Sequence, residues 1–208
     1  MKRNIKNIVY TTCIIFLMIG TYASGLNLSD VYKQLGLSEK VSYTADLAME
    51  AQNLPQMEMK ILFKNGDIRA EGNQGGMKFV TITKKDGTIY TYNDAMKVWM
   101  KTNMSDVIKK ENMPEYKEVG KETVDGLKCK KFLAKDPASN STSTIYVNDG
   151  MIYQVITIDA KGQTYTVKYK NIEKTKLEDS LFMPEEGANV QDLSGLMQGL
   201  MANKDLQE

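Results

Sequence analysis

The chain contains no histidine. Histidine is the side chain that titrates nearest neutral pH and the commonest metal ligand. Without it there is no Ser-His or Cys-His nucleophile pair and no imidazole to hold a metal. Cysteine is nearly absent too, with only Cys13 and Cys129. Cys13 falls inside an N-terminal leader, and the Tyr10-Thr11-Thr12 run before it does not suit a lipid-attachment site. The lone Cys129 then excludes an internal disulfide and a cysteine metal cluster. Arginine occurs only as Arg3 and Arg69. No phosphate loop, dinucleotide fingerprint or calcium loop is present, and "NDG" at 148–150 reads as a hairpin turn. The acidic pairs Glu178-Asp179 and Glu185-Glu186 read as solvated loop. These absences predict a protein that is not an enzyme and uses no cofactor or metal.

Long apolar runs are also lacking. The longest, Ile8 to Gly20, has thirteen mostly apolar residues, about 20 Å of helix against a hydrocarbon core of about 30 Å. Lys2, Arg3 and Lys6 precede it, and Ala23, Ser24 and Gly25 follow it. This pattern predicts a cleaved export signal over 1–25, cut after Ala23 or Gly25, and a periplasmic or secreted mature protein. Of 27 basic and 26 acidic residues, the signal takes three basic ones, leaving a formal charge of −2. No basic face stands out, so nucleic acid is not an expected partner. Asn27, Asn103 and Asn140 lie in N-x-S/T triplets, which matter only in a glycosylating host.

Residues 26–208 are long enough for one domain with a substantial core. Leu28, Val31, Tyr32 and Leu35 fall at helical spacing, with Asn27 or Ser29 to cap them and Gly36 to stop them. From Val41 the period becomes two. Val41, Tyr43, Ala45, Leu47, Met49 and Ala51 alternate with a mostly polar set, and Met57, Met59, Ile61 and Phe63 alternate with Glu58 and Lys60. Turn signals recur at Asn65-Gly66, Asp86-Gly87, Asn93-Asp94, Asp125-Gly126, Asp149-Gly150 and Lys161-Gly162. Together they predict a mainly β antiparallel meander of about eleven strands, with helices at the start, at 103–114 and at 189–203.

Twelve of the fourteen methionines follow the signal. Three readings are open: ordinary core filling, a thioether copper site, or a deformable apolar cavity whose unbranched side chains re-pack around flexible ligands. Arg69 is either a surface cation or a guanidinium fork that donates to carbonyls or carboxylates. The terminal segment carries an apolar stripe, Val190, Leu193, Leu196, Met197, Leu200 and Met201, interrupted by Gly195 and Gly199. Each glycine costs about 1 kcal/mol against alanine, which suits a helix that shifts but equally fits one packed permanently or docked on a membrane or partner.

The block "GDIRAEGNQGGMKFVTITKKDGTIYTYNDAMKVWMK" (66–101) resembles the LolA/LolB lipoprotein-carrier superfamily. It shares an arginine strand (Arg69), a strand with Val80-Thr81-Ile82, an Asp86-Gly87 hairpin, an aromatic Tyr90-Thr91-Tyr92 strand and a strand at Val98-Trp99. "KETVDGLKCKKFLAKD" (121–136) resembles the central hairpin of LolA-like exported domains, and Asp179, Phe182 and Pro184 resemble the closing motif. The resemblance implies a curved half-barrel capped by short helices. It implies a ligand cavity, here Met49, Met57, Met59, Ile61, Phe63, Met77 and Phe79. The lid helices would carry Val107, Ile108, Leu193, Leu196, Met197, Leu200 and Met201, and Arg69 would hold the lid. The implied function is a carrier for a lipid or acylated lipoprotein. The rival is an envelope-sensing or protein-interaction module on the same fold, with a membrane or envelope-protein partner and no lipid cargo.

Overall fold

A computed structural model describes residues 28–38, 40–51, 57–74, 76–103, 114–136 and 139–195. Helix α1 spans Leu28–Leu35. It ends where Gly36 turns left-handed (φ +64°), so that Gly36 N donates to Lys33 O and Leu37 N to Tyr32 O. That pair of bonds satisfies the last carbonyls of the helix.

Twelve strands follow among the described residues. The first six are β1 (Ser42–Ala51), β2 (Met57–Lys64), β3 (Asp67–Gln74), β4 (Met77–Thr83), β5 (Thr88–Asn93) and β6 (Val98–Asn103). The next five are β7 (Glu115–Val124), β8 (Leu127–Asp136), β9 (Ser141–Asn148), β10 (Met151–Ile158) and β11 (Thr164–Lys174). A short 3-10 turn, Asp179–Phe182, precedes β12 (Val190–Asp192). All form one sheet in the order β12-β6-β5-β4-β3-β2-β1-β11-β10-β9-β8-β7. Two antiparallel meanders are thus joined along β1 and β11. Asn65 and Gly66 at φ 52° and 96° make the β2–β3 hairpin as its sequence predicts.

The sheet is strongly curved. Strand β7 stands six places from β2, about 29 Å in a flat sheet at ~4.8 Å per strand. Yet α1, only about 12 Å long, reaches both: Tyr32 meets Phe63 of β2 edge-on (5.7 Å), and Gln34 Oε1 accepts from Tyr116 N of β7 (3.3 Å). The sheet therefore wraps around the helix, as the expected half-barrel does.

Both faces of β2–β6 are covered. Register puts Tyr43, Ala45, Leu47 and Met49 beside Phe63, Ile61, Met59 and Met57 on the concave face. The opposite face carries Leu62, Val80, Ile82 and Trp99, buried under Leu177 and Phe182 of the segment that follows β11. This strap crosses the outside of the sheet and delivers β12 to the edge of β6.

The strap corrects one boundary. The helix expected over 189–203 does not include 190–192, which pair in parallel with β6 from Val190↔Trp99 to Asp192↔Lys101. Trp99 N donates to Asn189 O and Leu193 N to Lys101 O, both at 2.8 Å, so ladder bonds take the backbone that helix would use. Helical turn begins at Ser194, whose N–H donates to Asp192 Oδ1. The eleven expected strands thus become twelve.

Candidate functional site

Strands β1 to β4 assemble the concave apolar face. Met49 lies directly opposite Met57, and Leu47 opposite Met59. Met59 in turn faces Gly72, and Gly72 faces Phe79. A Cβ on Gly72 would sit 2.6 Å from Phe79 Cζ and 3.1 Å from Met59 Cγ. Glycine at this position lets the Phe79 ring lie across β3 against the methionine. Six of the seven cavity residues expected from the sequence, Met49, Met57, Met59, Ile61, Phe63 and Phe79, meet in one buried cluster. The seventh, Met77, is 55 % exposed and lies outside it.

Sequence reasoning passed over the tyrosines of this face. Tyr43 stacks on Phe63 with ring centroids 4.9 Å apart, and Tyr32 and Tyr169 close in from α1 and β11. Burial raises the pKa of Tyr43, with the neighbouring Tyr169 and Tyr32 adding to the effect. Burial alone raises that of Tyr169. Tyr43 and Tyr169 are therefore neutral at physiological pH. The signal was present in β1, where Tyr43 sits in phase with the apolar alternation. A narrow cleft of about 30 Å³ opens among Tyr32, Tyr43, Tyr169, Ile61, Phe63 and Met151.

Of the expected lid residues, Leu193 is half-buried beside β6. Val107, Ile108, Leu196, Met197, Leu200 and Met201 lie outside the described residues.

Arg69 does donate to a main-chain carbonyl: its Nη1 reaches Leu181 O at 3.0 Å. Its Nε and Nη2 both donate to Glu71 Oε2 at 3.2 Å. Register places Arg69 beside Leu62 and Ile82, on the face away from the methionines. The carbonyl it holds belongs to the outer strap. Lys64 Nζ makes a matching bond to Leu177 O (2.6 Å) and an ion pair with Asp179 (2.7 Å). Glu185 does more than the solvated loop reading allowed, because its Oε2 accepts from Trp99 Nε1 at 2.8 Å. The thiol of Cys129 is buried, and burial pushes its pKa up.

A curved, open antiparallel sheet wrapped on a short helix, with a buried apolar face on one side and a strap on the other, defines a half-barrel β protein. The chain belongs to the family described as "Domain of unknown function (DUF4412)", whose model matches residues 44–152. No curated protein matches the sequence. Among solved structures, an uncharacterized conserved protein from Thermus thermophilus is similar, with a TM-score of 0.59 at 13 % identity, over 80 % of this chain and 96 % of that one. PNGF-II is similar at a TM-score of 0.53 and 13 % identity, over 79 % of this chain but only 33 % of that one. The LolA superfamily protein NE2245 from Nitrosomonas europaea matches at a TM-score of 0.43 and 10 % identity, over 76 % and 98 % of the two chains. At these identities the likeness is one of fold alone.

Proposed function

We propose that the concave face reversibly binds the acyl chain of a lipid or acylated protein outside the cytoplasm, without covalent chemistry. The observation that supports this reading is the convergence of Met49, Met57 and Met59 with Ile61, Phe63 and Phe79 on one hollow side of a curved sheet. Unbranched thioethers adapt their shape to a flexible chain at little rotamer cost. The export signal read in 1–25 accounts for the compartment. The test is native mass spectrometry of protein purified without detergent, followed by lipid extraction and titration with a fluorescent fatty-acid probe. A co-purifying acyl species near one per chain, or saturable probe binding, is the expected result. An empty protein that ignores the probe would overturn the reading.

One observation favours the interaction module as a second reading. Strand β7, ten residues long, ends the sheet and among the described residues pairs on one side only. Its Lys117, Glu118, Lys121 and Glu122 discourage pairing with a random strand, while leaving the ladder open to a charge-matched one. Lipid-free protein that pulls down one envelope protein through β7 would favour this reading over the first.

A further inference from the structure

The Tyr43 side chain carries a hydroxyl into largely apolar surroundings. The residue is only 7 % exposed, yet among the described residues its hydroxyl has no hydrogen-bond partner. The hydroxyl is not sealed from solvent, because Ser42 Oγ is the fully buried side-chain polar atom without a partner among the described residues; it stands as an unused donor at the cleft. Its neighbours differ in this respect: the Tyr32 hydroxyl donates to Gly66 O at 3.4 Å. Stacking on Phe63 fixes the Tyr43 ring and with it the position of the hydroxyl. The residue lines the cleft of about 30 Å³, whose other walls include Tyr32, Ile61, Phe63, Met151 and Tyr169. That volume takes a group about the size of a carbonyl.

The walls also limit what the group can be. None of the lining residues is a lysine, arginine, aspartate or glutamate. A carboxylate or phosphate entering here would lose its hydration with no cation to replace it. A neutral acceptor loses far less and gains one hydrogen bond. Because burial keeps Tyr43 protonated, its hydroxyl can only serve as donor to a ligand oxygen, or as acceptor to a ligand hydroxyl.

Resting on the acyl-binding reading above, we infer that the cleft at Tyr43 is a headgroup subsite for a neutral acyl ester. The ester carbonyl accepts from the Tyr43 hydroxyl, and the chain runs onto Ile61 and the methionines beyond. The site discriminates esters from free fatty acids of the same chain length.

The test titrates the full protein with monolaurin, laurate and dodecane, for wild type and for Tyr43→Phe. Phenylalanine keeps the stack on Phe63 and removes only the hydroxyl, and a thermal melt no lower than wild type shows that the fold is kept. The expected result is that wild type prefers monolaurin to laurate, and that the variant binds monolaurin about threefold to tenfold more weakly with dodecane unchanged. Equal monolaurin affinity in the two proteins would overturn the subsite while leaving the apolar hollow in place. So would laurate binding as tightly as monolaurin, or a single trapped water filling the cleft in the ester complex. Binding of none of the three would overturn the acyl reading itself.

Discussion

At the scale of single residues, Gly72 shows how a missing side chain can set the shape of a buried apolar face. Its backbone needs no left-handed angle, so the constraint is one of space: Phe79 Cζ would stand 2.6 Å from an added Cβ. Gly72→Ala should therefore cost about 1–3 kcal/mol, the usual range for overpacking a filled core. Urea unfolding would check this, and adding Phe79→Leu should recover part of the loss because the clash involves that ring. An unchanged urea midpoint in Gly72→Ala would show that the ring moves aside freely. This constraint was not legible in the sequence, where Gly72 looks like one more residue of a polar strand. The alternation of Met57, Met59, Ile61 and Phe63 was legible because a period of two states directly which side chains share a face. Met77 keeps that phase but sits at the strand start, where the sheet no longer shields it. Periodicity reports a face and says nothing of depth.

At the scale of elements, the course of the strap over 175–189 across the outer face was not read from the sequence, although its closing motif at Asp179, Phe182 and Pro184 was. Its anchors are spread over β2, β3 and β6, through Lys64, Arg69 and Trp99, and such long-range partners leave no local pattern. One trace was available: Ile61-Leu62-Phe63 is apolar on both faces of β2, which requires cover on both sides. Arg69→Leu should release the Leu181 carbonyl and leave Glu71 without its partner, costing about 1.5–3 kcal/mol, as for hydrogen bonds to charged groups. The loss should appear as faster amide exchange over 177–183. A change confined to ligand release, with exchange over the strap untouched, would instead return Arg69 to the role of lid holder. The 3-10 turn and the three-residue β12 also escape pattern reading, since neither is long enough to complete a period. Val190 was read into a helical stripe because it falls in phase with Leu193, and ladder bonds to β6 override that phase.

At the scale of the whole molecule, charge is arranged on the outer surface in pairs that tune the response to acid. Lys64 holds the Asp179 carboxyl below its ordinary value. Ser194 and then Lys101 do so for Asp192, Lys131 for Glu122, and Lys168 with Tyr153 for Asp125. A carboxylate whose folded pKa is depressed contributes stability that is present above its unfolded value and is lost as pH falls through the folded one. The melting temperature should thus stay level from pH 7 down to about 5 and fall below about 4. The fall should shrink at 0.5 M salt, on the order of several times physiological ionic strength, because these groups are solvent-screened. Calorimetry across that range is the check, and a melting temperature equal at pH 6 and pH 3 would refute the assignment. The antiparallel meander was readable at this scale from recurrent turn dipeptides and the absence of long crossovers, while its curvature into a half-barrel was implied by the family resemblance of the motifs. The direction in which the strap returns was not.

The seam between β1 and β11 also has a consequence for how the chain is made. Leu47 finds Tyr169, and Met49 finds Val167, only across about 120 residues of intervening sequence. A ribosome adding roughly 5–20 residues per second takes roughly 6–24 s to cover that distance. Throughout that interval the apolar edge of β1 waits in the nascent chain without its neighbour, while β2 to β6 can already form hairpins beside it. A sheet whose central seam is closed by β11 cannot complete its folding until that strand has been made, so the strand order itself sets when the concave face is closed.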